Sequence, residues 1–163
     1  MKDVLHNIRQ YTICEKYLPF GARPIVAAHS DAKIVIIGQA PGTKVHASSI
    51  PWGDASGKQL RKWLNVSEEV FYDETKFAIV PMGFCYPGKG KTGDLPPRPE
   101  CAPQWHNVLL KQMPNIELVI LIGMYAQNYY LGKEAMKTLT ETVKNYQIYL
   151  PKFLLLPHPS PRN

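Results

Sequence analysis

Four short runs of apolar residues constrain the fold of this 163-residue chain more than any other feature. They lie at residues 33–38 (KIVIIG), 76–81 (KFAIVP), 117–123 (ELVILIG) and 153–157 (FLLLP). The runs are almost continuously apolar, a pattern typical of strands in a parallel sheet that is covered on both faces. We therefore predict a central four-stranded parallel sheet.

Segments with helical patterning separate these runs. Residues 56–64 begin with a capping serine and repeat apolar side chains at helical spacing. We also predict helices over residues 4–17, 103–113 and 133–146. Alternation of strands and helices indicates an α/β fold, a three-layer α/β/α sandwich. Because the sequence shows no internal repeat or linker, we predict one domain over residues 1–163.

Charge and composition narrow the classes of partner and compartment. Lys and Arg outnumber Asp and Glu by 19 to 13, giving a net charge of +6 and favouring a polyanionic partner such as nucleic acid. Many basic proteins bind no nucleic acid, so this is only a tendency. No apolar run approaches the roughly 20 residues of a membrane span, and the N-terminus lacks the apolar core of a signal peptide. We expect a cytoplasmic protein with no membrane partner.

The sequence predicts unusual loops after all four strands. They are GQAPG (38–42), PMGFCYPG (81–88), GMYAQN (123–128) and PHPSPRN (157–163). In open parallel sheets, ligands bind outside the carboxyl ends of the strands. The sequence therefore predicts a functional site at this edge of the sheet.

Several residues near these segments have both an ordinary and a functional interpretation. Asp54 can cap the following helix or act as a general base. Trp52 can be a stacking platform for a flat ligand. His158 can be a loop histidine bonded to backbone, or a hydrogen-bond donor to an oxygen that gains charge.

The segment 89–93 (KGKTG) resembles a phosphate-binding loop only superficially. Cys85 stands where such a loop needs its first glycine, and Pro96 and Pro97 follow where it needs a helix. We interpret this segment as a solvated basic loop in which Lys89 and Lys91 can contact DNA phosphates.

Taken together, the ordered motifs resemble the uracil-DNA glycosylase superfamily from about Cys14 to Asn163. GQAPG matches the first motif of that superfamily, and HPSPRN matches the last. The resemblance implies a DNA base-excision enzyme that hydrolyses the N-glycosidic bond of a flipped deaminated base such as uracil. We expect a monomer.

The resemblance also assigns roles to individual residues. Gln39 stands where several branches place an acidic residue, and Asp54 in Gly-Asp-Ala-Ser-Gly matches the alternative position for water activation. His158 would hydrogen-bond the departing base, so the catalytic candidates are Asp54, His158 and Gln39. The residues assigned to the base are Gly38, Ala40, Pro41, Gly42, Trp52 and Met82. The resemblance also assigns Ser160, Arg162 and Asn163 to DNA, in addition to Lys89 and Lys91 of the basic loop.

One departure from the family pattern leaves the substrate open. The superfamily commonly ends its second strand with an asparagine that reads the uracil edge, and here that position falls at Pro81 or Met82. Proline offers no side-chain hydrogen bond, and polar sites discriminate through such bonds. The alternative is therefore a catalytically inactive member that binds nucleic acid or a nucleobase.

The cysteines suggest the branch of the family that carries an iron–sulfur cluster. Cys14, Cys85 and Cys101 correspond to three of its four ligands, but Tyr11 and Tyr17 occupy the neighbouring CxxC positions. A [4Fe–4S] cluster normally takes four cysteines. His106 could complete a site, although no spacing rule supports it. We expect no required cofactor and three reduced cysteines used in packing.

Overall fold

A computed structural model describes residues 1–161 and contains the four predicted parallel strands. Their bounds are β1 Ile34–Ile37, β2 Phe77–Ile79, β3 Leu118–Ile122 and β4 Phe153–Leu156. The strand order is β2-β1-β3-β4, and every neighbouring pair is parallel. From β1 the chain passes to β2 on one side of that strand, and then to β3 and β4 on its other side. The topological switch point consequently lies between β1 and β3, where open sheets bind ligands.

Both faces of the sheet are buried, because successive strand residues point to opposite sides. Val35 and Ile37 belong to one apolar core, whereas Ile36 belongs to the other. This arrangement explains why the strand sequences are continuously apolar.

Helices cover each face and complete the three-layer α/β/α sandwich. The helices are α1 Lys2–Arg9, α2 Thr43–Ser48, α3 Ala55–Leu64, α4 Glu68–Phe71, α5 Asn107–Lys111, α6 Gly123–Leu131 and α7 Leu139–Lys144. Helices α1, α5 and α6 supply buried side chains to one core, and α3 and α4 supply them to the other. None of the helices among residues 1–161 has the length and apolar character needed to cross a membrane.

Three predicted helices are shorter or less regular than the sequence indicates. Helix α1 ends at Arg9, where the Tyr11 ring turns to pack edge-on against Trp105. A five-residue π turn precedes α5. Within 133–146, the α-helix spans only α7, because a capping box at Thr138 and Glu141 fixes its first turn.

The segment GMYAQN is a helix and not the loop that we predicted. Helix α6 begins directly at the end of β3. Its buried Gln127 donates hydrogen bonds from Nε2 to the carbonyl oxygens of Leu121 (3.3 Å) and Leu156 (3.0 Å). Gln127 therefore joins the ends of β3 and β4 and positions the chain just before His158.

Candidate active site

A cavity of about 290 Å³ opens at the carboxyl edge of the sheet. Its size is close to the lower end of small-ligand sites, which run from roughly 300 to 1,000 Å³. Residues that follow β1, β2 and β4 line it, so three of the four predicted segments converge. The lining includes Gly38, Gln39, Ala40, Pro41, Gly42, Trp52, Asp54, Pro81, Asp94 and His158.

The loop after β1 presents its backbone to this cavity. The carbonyl oxygens of Gly38 and Gln39 accept hydrogen bonds from the N–H groups of Met82 (2.9 Å) and Gly83 (3.0 Å). The N–H groups of Gln39, Ala40 and Gly42 donate to no acceptor among residues 1–161. Fixed carbonyls and available N–H groups make this loop a donor surface for a ligand.

Trp52 lies against the β1 loop because two glycines leave room for it. A Cβ atom at Gly38 would lie 2.7 Å from the Trp52 ring, and one at Gly57 would lie 1.7 Å from the Trp52 carbonyl oxygen. Trp52 itself has a φ of 56°, in the left-handed region that non-glycine residues rarely adopt. The surrounding packing therefore holds the indole in place.

Two residues that we did not predict from the sequence fix the Trp52 loop by hydrogen bonds to its carbonyl oxygens. The Arg61 guanidinium donates to the carbonyl oxygen of Trp52 at 3.3 Å, and the Tyr72 hydroxyl donates to that of Pro51 at 3.0 Å. Arg61 also donates to the Tyr72 hydroxyl. Arg61 lies in α3 and Tyr72 directly follows α4. No sequence pattern near either residue indicates that it contacts the Trp52 loop.

The position of Asp54 is compatible with both of its interpretations, as a helix cap and as a general base. It is the N-cap of α3, and its Oδ1 accepts a hydrogen bond from the N–H of Gly57 at 2.9 Å. Its side chain also lines the cavity. The cap thus orients the carboxylate, and its second oxygen is not used by the cap.

His158 lies beside Trp52, with ring centroids 5.9 Å apart. Burial lowers the pKa of His158, and the negative charge of Asp54 partly opposes that effect. The interaction with Asp54 places the two groups near each other. At neutral pH, His158 is therefore mainly a neutral imidazole that can donate one hydrogen bond.

After β2, the structure separates the two residues that we considered together. Pro81 lines the cavity, but Met82 is buried in the core on the other side of the backbone. The side chain of Met82 therefore does not contribute to the lining of this cavity, and its assignment to the base-binding surface stays a prediction.

Asp94 is a cavity residue that sequence reasoning missed. Its Oδ1 accepts a hydrogen bond from the Tyr86 hydroxyl at 3.4 Å, and that hydroxyl accepts one from Thr43 Oγ1 at 3.2 Å. The sequence did not indicate this role, because Asp94 directly follows a segment that we interpreted as a basic loop. Lys89 and Lys91 are both exposed on this loop and do not line the cavity.

The remaining DNA-contact candidates lie in the C-terminal segment. Ser160 is half-buried two residues beyond His158. Arg162 and Asn163 lie outside the described residues, so their assignment to DNA stays a prediction.

The three cysteines are buried, close together and free of disulfides. Burial raises the pKa of Cys14 to about 12, with further increases from Cys101 and Glu100. Burial also raises the pKa of Cys85 to about 11. These thiols are accordingly protonated at neutral pH.

This thiol set does not fit a four-cysteine iron–sulfur cage. Tyr11 lies close enough to Cys14 and Cys101 for their charges to raise its pKa, after burial as the main cause. In residues 1–161, no three His, Cys, Asp or Glu side chains are grouped to hold a metal ion. Both ring nitrogens of His106 are already occupied by Tyr130 and Pro81.

The fold is an open parallel α/β/α sandwich with a cavity at the carboxyl edge of its sheet. A family model, described as the Uracil DNA glycosylase superfamily, matches residues 26–163. The chain belongs to this superfamily, as the ordered motifs indicated. Membership supports a glycosylase-like function in general terms.

Proposed function

We propose that the protein is a DNA glycosylase that hydrolyses the N-glycosidic bond of a flipped, deaminated base. The observation that carries this proposal is that Asp54 and His158 line one cavity, although they come from opposite ends of the fold. Catalysis on a base inside a duplex requires the base to leave the stack and enter such a pocket.

Hydrolysis assigns different tasks to the two side chains. Asp54 accepts a proton from a water molecule whose oxygen attacks C1′ of the sugar. The bond between C1′ and the base nitrogen breaks, and its electron pair leaves with the base. His158 donates a hydrogen bond to a base oxygen as that oxygen gains negative charge, and the departed base takes a proton from solvent.

The polar groups around the cavity favour a base with an N–H edge. The N–H groups of the β1 loop can donate to base oxygens. The Asp94 carboxylate is only an acceptor when ionised, and it can accept from a ring N–H. Uracil, hypoxanthine and xanthine all carry carbonyl oxygens beside a ring N–H, so a deaminated base suits this surface. Trp52 would stack on its flat face.

The DNA strand would be held by the basic surface around the cavity. Lys89 and Lys91 are exposed and can approach phosphates, and Ser160 lies on the same loop as His158. Such contacts position the strand without reading its sequence.

The proposal is tested by replacing Asp54 with asparagine. Asn retains the helix cap but cannot take a proton, so stability should change little. We expect base release to fall about 100-fold or more, as for loss of a general base. The measurement is alkaline cleavage of labelled single- and double-stranded oligonucleotides that carry uracil, hypoxanthine or xanthine.

The control is Asp31→Asn, an exposed aspartate outside the cavity, which should retain full activity. Equal activity of Asp54→Asn and wild type would remove Asp54 from the mechanism. DNA binding by wild type without release of any base would favour the alternative, an inactive superfamily member that binds nucleic acid.

A further inference from the structure

A second, more open groove of about 640 Å³ lies beside the cavity. Residues 16–20 form one wall, and residues 86–89 form the other. Pro87 and Leu95 line both the groove and the cavity. A strand whose base enters the cavity would therefore continue into the groove.

Phe20 is the dominant side chain of this groove. Its relative exposure is 66%, although it is a large apolar residue. One face of its ring stacks on Tyr86, with centroids 5.8 Å apart and an interplanar angle of 18°. His46 also contacts the Phe20 ring, with centroids 5.7 Å apart and an interplanar angle of 45°. Since two thirds of Phe20 is nevertheless exposed, its outer surface is accessible to a flat ligand.

The platform beneath Phe20 is rigid. Tyr86 is 3% exposed, and its hydroxyl is held by Thr43 and Asp94. Gly88 has a φ of +102°, and a Cβ atom there would lie 2.9 Å from the Pro19 ring. The two walls are thus packed directly together, so little ordering is needed when a ligand stacks.

The charge of the groove suits a polyanion. Lys16 and Lys89 line it, and Lys44 and Lys91 are exposed nearby in the chain. An aromatic platform flanked by cations is the usual arrangement for unpaired nucleic acid, since every base has a flat face and every linkage a phosphate. A paired duplex, in contrast, hides its base faces in the stack.

We propose that this groove binds the single-stranded DNA that flanks the flipped nucleotide. A neighbouring base stacks on the outer face of Phe20, and its phosphates lie near Lys16 and Lys89. The proposal extends the proposed function by naming the strand form that the site accepts, and it rests on DNA being the ligand.

The test compares Phe20→Ala with Phe20→Tyr, which keeps an aromatic ring. Fluorescence anisotropy measures binding of a labelled, undamaged single-stranded oligonucleotide and of its duplex. We expect Phe20→Ala to bind the single strand about fivefold or more weakly, the loss of one stacked base. Phe20→Tyr should remain within about twofold of wild type. Ile148→Ala, at an exposed apolar residue outside the groove, should have no effect.

Salt dependence tests the cationic part of the groove separately. Lys16→Ala and Lys89→Ala should each reduce the slope of log affinity against log salt by about 0.7, the value for one phosphate contact on a single strand.

A 2-aminopurine next to the lesion tests the stacking directly. Its fluorescence should decrease on binding to wild type but not on binding to Phe20→Ala, because stacking on an aromatic ring quenches it.

The outcomes separate this proposal from glycosylase activity. Wild-type affinity of Phe20→Ala for single-stranded DNA would overturn the groove proposal, even if bases are excised normally. Failure of wild type to bind single-stranded DNA, or tighter binding of RNA of the same sequence, would also overturn it. Binding that depends on Phe20 without any base release would support the groove and contradict the proposed activity.

Discussion

At His106, the hydrogen bonds define one neutral tautomer. Nε2 lies 3.0 Å from the carbonyl oxygen of Pro81, and Nδ1 lies 2.7 Å from the Tyr130 hydroxyl. A carbonyl can only accept, so Nε2 carries the proton and Nδ1 accepts from Tyr130. Since Pro81 lines the cavity, His106 supports the site from the core without touching a ligand.

We expect His106 to make stability depend on pH. Burial lowers its pKa to about 4, whereas an unfolded histidine titrates near 6.5. Between these values the unfolded chain binds more protons, so the free energy of unfolding should fall as pH falls from 6.5 to 4. The total loss is about 3 kcal/mol. Urea unfolding at a series of pH values measures it.

His106→Gln separates this contribution from that of other groups. Glutamine can keep hydrogen bonds to Pro81 and Tyr130 but does not titrate, so its stability should depend less on pH. The exposed His6→Gln should behave as wild type. Equal pH dependence of wild type and His106→Gln would contradict the assignment.

Individual site residues were predictable from sequence to different degrees. Asp54 precedes a clear helix and follows a glycine, so both its cap and its candidate role could be recognised. Met82 could not be distinguished from Pro81, because the direction of each side chain depends on how the backbone leaves β2. Asp94 reaches the cavity only through the fold of its loop.

Among the elements, helix α3 and the turn before it position most of the site. The turn carries Trp52 and Asp54, and α3 supplies the Gly57 N–H and the Arg61 guanidinium that hold it. A Cβ atom at position 57 would overlap the Trp52 carbonyl oxygen, which explains why a glycine stands in the first turn of this helix.

We predict that Gly57→Ala destabilises the protein despite the better helix propensity of alanine. Alanine would ordinarily gain about 1 kcal/mol in a helix, but its Cβ would overlap the Trp52 carbonyl oxygen. Overpacking of this kind costs roughly 1–3 kcal/mol. The free energy of unfolding should therefore fall, and Trp52 should move from the cavity.

Chemical denaturation measures the first effect, and tryptophan fluorescence measures the second when Trp63 and Trp105 are replaced by Phe so that Trp52 is the remaining tryptophan. The control is Lys58→Ala, the next residue on the same helix, which is exposed and should leave both unchanged. A Gly57→Ala protein more stable than wild type would show that the turn can shift without cost.

Strands were easier to predict than helices. All four apolar runs contain the observed strands, since burial on both faces leaves an unambiguous pattern. Helix ends instead depend on caps and on tertiary contacts, such as the packing of Tyr11 on Trp105 that ends the first helical segment. GMYAQN lacks helical amphipathicity because Gln127 is buried among backbone carbonyls.

At the scale of the whole molecule, the cysteines show how distant segments meet. Cys14 precedes the first strand, Cys85 follows the second, and Cys101 precedes a helix, yet the three thiols lie close enough to influence one another's pKa. Glu100 and Arg98 form an ion pair at the same place and contact Cys14. This end of the fold is thus held by packing and an ion pair.

We predict that protein purified without oxygen contains less than one iron–sulfur cluster per chain. Iron and sulfide analysis, with visible absorbance, measures this, and a chelator should not change the free energy of unfolding. Tyr11→Cys supplies a fourth thiol and should take up iron on reconstitution. A full complement of iron in wild type would show that three cysteines suffice.

The sequence alone determined the sheet, the edge at which its polar segments meet and the family. The pattern of apolar residues and the order of the motifs can both be read from the linear chain. Only the tertiary structure decided which residues share the cavity. It placed Met82 in the core and brought Asp94, Arg61 and Tyr72 to the site. It also set Phe20 beside Tyr86 in a groove. The physical reason is that side-chain direction and long-range packing depend on backbone geometry, which local patterns do not specify.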